Sequence, residues 1–333
     1  MAYHLKAGEP VPEGIKRAAR EELEFAAGQL DGSAGAARDE AVHEGRKSIK
    51  KVRGLLRLAR PELGRVYRRE SERLGEIGRT LSEFRDAGAI IGTFDALRGK
   101  YRDELGRRRL ASIRHGLVRR EEEAEQEANI DRVLQRMASS LAGVGQRVKS
   151  WPLKAAGFRA IAPGLEETYR RGEKAMARAR KHPSPENFHA WRKSVKDLWY
   201  HVRLLENLWT EVMLAYEKSL KDMETWLGED HNLAVLRDKI AAERDFYGKE
   251  KDVEFVLEKI GKYQHELRAN ALSLGERVYQ DKPRHFVQHM RHLWESWQDQ
   301  PKTLEAVQKL ERKVQRAKSG TSARRAKVSI TAA

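Results

Sequence analysis

Cysteine is absent from the 333 residues, which excludes disulfides, thiolate metal sites and cysteine nucleophiles. No apolar run reaches the roughly 18 residues of a membrane span. Residues 1–10 (MAYHLKAGEP) also lack the apolar core of a signal peptide. The expectation is a soluble, cytoplasmic protein without membrane insertion. Phosphate-cradling glycine loops are missing: no G-x-x-x-x-G-K-[ST] occurs, and Gly143–Val148 lacks the third glycine and the preceding strand of a dinucleotide fingerprint. His43-Glu44 starts like H-E-x-x-H, but Lys47 stands where the second histidine belongs. His285, His289 and His292 share a helical face without a carboxylate to complete a metal site, and read as surface or packing residues. No cofactor, metal or catalytic residue is expected, and the chain reads as a protein that is not an enzyme.

Proline is scarce too. Its nine residues fall mostly between apolar-periodic segments rather than inside them. Between these marks apolar residues recur at three and four, the helical spacing, and no period-two alternation bounded by turn signals is found. The pattern predicts an all-α protein of ten or more helices packed as antiparallel bundles. The seven tryptophans all lie at or beyond Trp151, and Trp191, Trp199 and Trp226 are expected to pack the core. Residues 301–317 read as a C-terminal helix and 318–333 as a basic flexible tail. Glu121–Glu127 holds five acids and reads as a solvated helix face.

Positive charge is abundant. Sixty-six Lys and Arg stand against 50 Asp and Glu, a net charge of +16. Charged residues reach 35%, against about 25% in an average globular protein. Residues 1–150 carry 31 cations and 24 acids, and residues 151–333 carry 35 and 26. The excess is therefore no single tail, and an anionic partner is implied: nucleic acid, a membrane surface or a phosphate polymer.

Shifting the sequence by 146 residues exposes an internal repeat. His43, Arg46, Lys47, Ser48, Lys50, Arg57 and Leu58 land on His189, Arg192, Lys193, Ser194, Lys196, Arg203 and Leu204, seven identities in sixteen ungapped positions. The same shift puts Leu81 on Leu227, Asp86 on Asn232 and Ile90 on Leu236. The chain reads as a duplication, with repeats at about 10–150 and 151–300.

Basic residues coincide in the two copies better than apolar ones. At 100° per residue, His43, Arg46, Lys47, Lys50, Arg53 and Arg57 share a stripe about 120° wide. Val42, Ile49, Val52, Leu55, Leu56 and Ala59 fill the other side. In the second copy His189, Arg192, Lys193, Lys196, Tyr200 and Arg203 share one side. Phe188, Trp191, Val195, Leu198, Val202 and Leu205 take the other. Amphipathic helices ordinarily turn charge outward, but a solvated face mixes signs so that neighbours one turn apart attract. Here Glu44 is the one acid between positions 43 and 57, and it projects sideways. Like charges crowded on one face cost stability unless an anion sits there. The duplication of the pattern favours that reading.

The segments VHEGRKSIKKVRGLLRL and FHAWRKSVKDLWYHVRLL, followed by LSEFRDAGAI and WLGEDHNLAVL, resemble the CHAD domain family (conserved histidine α-helical domain) over about residues 10–300. Members are two four-helix bundles related by internal symmetry. They bind inorganic polyphosphate in a basic channel and are associated with polyphosphate granules. The resemblance implies a single domain of two repeats related by a pseudo-two-fold, with a basic channel or groove between them. It makes the twelve stripe residues the ligand contacts. Two departures stand out: Trp199 replaces the cation Arg53, and His231-Asn232 replaces Arg85-Asp86. Nothing resembles the triphosphate-tunnel catalytic domain that precedes many members. The expected function is non-catalytic polyphosphate binding. The competing reading is an RNA-binding helical protein that uses the same cations, although the stripes offer little for base stacking apart from Tyr200.

Overall fold

The computed structural model describes residues 3–83, 86–104, 110–125 and 130–299. The proposed C-terminal helix 301–317, the tail 318–333, the side chains of Arg85 and Asp86 and most of Glu121–Glu127 lie outside the described residues. Among those described there are α-helices and short 3₁₀ turns, and no strand.

The first half contains α1 (Val11–Leu30), α2 (Arg38–Leu58), the single turn α3 (Arg60–Leu63), α4 (Arg65–Glu83), α5 (Asp86–Lys100), α6 (Ala111–Glu125) and α7 (Ile130–Val148). The second contains α8 (Ala162–Lys181), α9 (Pro185–Leu204), α10 (Thr210–Ala242), the short α11 (Arg244–Tyr247), α12 (Glu250–Val278) and α13 (283–299). Prolines open helices here. Pro12, Pro61, Pro163 and Pro185 all sit in first turns, where the missing N–H would have no intrahelical partner anyway. Ser184 caps α9 by accepting from the Asn187 N–H at 3.3 Å, as N-cap serines do.

Every apolar position assigned to the inner face of α2 is buried, from Val42 through Ala59, and so is every one on α9, from Phe188 through Leu205. Trp191 is fully buried, whereas Trp199 and Trp226 are partly buried against the core and Trp209 stands exposed. The main core joins α1, α2, α4 and α7 to α8, α9, α13 and the first half of α10. A second core gathers α5 and α6 with the far ends of α10 and α12. Each core thus draws on both halves of the sequence. The 33 residues of α10 make a rod of about 50 Å, long enough to run through both.

In the main core the two halves meet where α2 crosses α9 and α8. The buried His201 ring donates from Nε2 to the Gly54 carbonyl at 2.9 Å, and a side chain at Gly54 would meet Tyr200 at 3.3 Å. Gly164 on α8 lies directly over the Leu58 carbonyl, where any Cβ would overlap it. Small residues set this close approach. Arg57 and Arg171 both converge on the buried carboxylate of Asp197.

Candidate anion-binding site

The outer face of α2 turns toward α4. Arg46 Nη1 donates to the Leu81 carbonyl at 3.3 Å, so a cation serves one of the last carbonyls of α4, a favourable place for positive charge. Lys47 Nζ lies 3.0 Å from Glu44, and His43 Nε2 lies 3.8 Å from the same carboxylate. Glu44 therefore reaches the stripe it was expected to miss, because both partners sit within one turn of it. Lys47 keeps 42% of its side chain exposed and His43 45%. Lys50 is half-buried.

Farther along α2, guanidinium groups crowd together. Burial first, and then the neighbouring charges of Arg57 and Arg79, push the Arg53 guanidinium below its usual range, with Asp197 opposing. Arg53 Nε is buried without a protein hydrogen-bond partner. Gly75 on α4 leaves room for this crowding, since a Cβ there would meet Arg79 at 3.5 Å and Arg53 at 4.0 Å. Arg57 donates to the Arg53 carbonyl at 3.2 Å and to Asp197 at 2.9 Å.

The outer face of α9 turns toward α10. His189 at its start stacks on His231 of α10, ring centroids 3.9 Å apart and tilted by 30°. Burial, His231, Lys193 and Arg192 lower its pKa to about 4, so the ring is neutral near pH 7. Glu224 of α10 is 4% exposed and takes Arg192 at 3.1 Å, Lys196 at 2.8 Å and Lys221 at 2.8 Å. Burial alone would raise the Glu224 carboxyl, but Lys196 and Arg192 outweigh it and hold the pKa at about 2. Burial pushes Lys196 down despite the pull of Glu224. Lys193 is exposed, and Arg203 lies 3.8 Å from Glu217.

Tyr200 is the stripe residue that the structure places elsewhere. It is 2% exposed, stacked on Trp199, edge-on to Tyr3 and set against Gly54. Its angle around α9 matches the stripe, but that sector is covered by α2 and the N-terminal segment. Burial raises its phenol well above the ordinary range. The remaining eleven stripe residues are exposed or half-buried.

Sequence spacing missed the acids. Asp197 and Glu224 anchor cations of both stripes, yet Glu224 lies on a different helix from Lys196 and no periodicity links them. Asp197 had a visible signal: it is an acid inside the second copy where the first has Lys51. Among the described residues no group of three His, Asp or Glu side chains is arranged to hold a metal. His285, His289 and His292 are exposed. No helix among the described residues is long and apolar enough to cross a membrane.

The arrangement defines an all-α protein with two basic helix faces, each backed by core and flanked by a neighbouring helix. The family model for the CHAD domain matches residues 17–241, and the chain belongs to that family. A solved relative is the CHAD domain from the plant Ricinus communis. It superimposes with a TM-score of 0.56 at 14% identity, over 84% of this chain and 95% of that one. At that identity the likeness shows the shared fold. No curated protein matches the chain.

Proposed function

We propose that the chain binds inorganic polyphosphate without catalysis, along the cationic faces of α2 and α9. Family membership supports the polymer, and one observation carries its placement. Two helices at a fixed offset turn the same cations away from the core, toward a flanking helix. His43, Arg46, Lys47, Lys50, Arg53 and Arg57 form one contact set, and His189, Arg192, Lys193, Lys196 and Arg203 form the other. The halves are read as duplicated four-helix bundles related by a pseudo-two-fold, with the two faces bordering a basic channel. From Arg46 to Arg57 the helix rises about 16 Å, enough for several phosphates of a linear chain. Arginines fork two hydrogen bonds onto a phosphate, and lysines act as movable point charges. Such a module would direct the protein to polyphosphate granules in the cytoplasm.

Burial of Tyr200 leaves the stripes without an exposed aromatic of their own, which favours a polymer without bases over RNA. The test is binding of the purified full chain to long-chain polyphosphate at about 0.15 M salt, with single-stranded RNA as competitor. Binding that RNA displaces poorly supports the reading, and equal or tighter RNA binding replaces it with the nucleic-acid alternative.

A further inference from the structure

Glu224 is the only carboxylate seen to join two cations of the α9 stripe to a third on its own helix, among the described residues. It is 4% exposed, and it sits where Arg192 and Lys196 converge, with both donating to the same Oε1 at 3.1 and 2.8 Å. A carboxylate oxygen and a phosphate oxygen offer these donors the same chemistry. A polyanion approaching this face therefore meets cations already engaged, and a fixed negative charge beside its own. Arg192 retains capacity, because its Nε is buried without a protein hydrogen-bond partner. Glu217 repeats the theme about two turns earlier at Arg203. The halves differ here. The positions 146 residues earlier, on α4, are Gly78 for Glu224 and Ser71 for Glu217, so neither matching position supplies a carboxylate to α2.

We propose that Glu224 is an internal anion that competes with the phosphate polymer for Arg192 and Lys196 and so sets the affinity of the α9 face. This rests on the polyphosphate reading above. It makes the α9 face a self-neutralised surface that a polymer occupies by displacing a carboxylate. Neutralising Glu224 removes the competitor and the like-charge repulsion together.

The experiment compares wild type, Glu224→Gln and Glu217→Gln as full chains, titrated with long-chain polyphosphate over a range of salt, with circular dichroism confirming the fold. Glu224→Gln is expected to bind about tenfold tighter, the effect of about 1.4 kcal/mol. Its salt dependence is expected to steepen, because two released cations add phosphate contacts worth about 0.7 each in the slope for a single-stranded polyanion. Glu217→Gln is expected to tighten binding less, since its contact with Arg203 is longer. Should Glu224→Gln fail to fold, Glu217→Gln decides: unchanged or weaker binding overturns the proposal. Unchanged or weaker binding by a folded Glu224→Gln overturns it too, and makes Glu224 a residue that merely positions the cations. A wild type that binds no polyphosphate overturns the functional reading and this proposal with it. A wild type that binds while both variants bind no tighter overturns the proposal alone.

Discussion

Arg57 of α2 donates to Asp197 of α9 at 2.9 Å, across 140 residues of sequence. The contact ties the two basic helices together at their crossing. Asp197 is 7% exposed and also takes Arg171 from α8, so one carboxylate holds three helices.

Removing that carboxylate leaves two guanidinium groups facing each other. Breaking a buried pair costs about 3–5 kcal/mol, and the partial exposure of Arg57 and Arg171 reduces this. Asp197→Asn is expected to destabilise the fold by about 2 kcal/mol, read as a lower midpoint in chemical denaturation with an unchanged slope. A midpoint equal to wild type would show that the crossing does not depend on the pair.

Charge reversal of Lys47, Lys50 and Lys193, with Lys196 only neutralised to Gln because it faces the buried Glu224, is expected to abolish polyphosphate binding while the helical circular dichroism stays intact. None of the four belongs to the core. Unchanged affinity in this folded variant would sink the two-face reading.

Acid should loosen the protein well before its carboxylates titrate. His201 is fully buried, and burial, with smaller contributions from Arg171 and Arg57, lowers its pKa to about 3 although the Gly54 hydrogen bond opposes this. His189 falls to about 4. Both are below the unfolded value of about 6.5, so below that pH the unfolded chain binds more protons than the native one. Their contribution is complete above pH 6.5 and is lost as pH falls through 4 and 3. The expected result is a denaturation midpoint that declines steadily from about pH 6.5 downward. A midpoint flat to pH 4.5 would contradict the buried neutral imidazoles.

Gly164→Ala tests the contact between α8 and α2. A methyl group there overlaps the Leu58 carbonyl, backbone that cannot rotate away, so the helices must separate. A cost of about 1–3 kcal/mol is expected, as for overpacked cores, measured as a drop in Tm. Alanine favours helix over glycine by about 1 kcal/mol, so a rise in Tm would mean the helices have room.

Periodicity placed the inner faces of α2 and α9 correctly, because a 3.6-residue repeat reports the angle of each side chain around its own helix. The same reasoning put Tyr200 among the cations, and there it failed. An angle does not say which neighbour covers that sector, and Tyr3, Trp199 and Gly54 cover this one. Glu44 failed for a related reason, since a flexible carboxylate one turn from Lys47 reaches across the angle that separates them on the wheel.

Helix content, the 146-residue offset and the matched cations are local or self-comparing properties of the chain, and the sequence alone determined them. Tertiary structure decided how those cations are balanced. Glu224 meets Lys196 because α10 lies alongside α9, and Asp197 meets Arg57 because Gly54 lets α2 and α9 approach. A counter-charge brought in by another helix leaves no spacing signal in one dimension, and whether it is felt depends on burial that only packing creates.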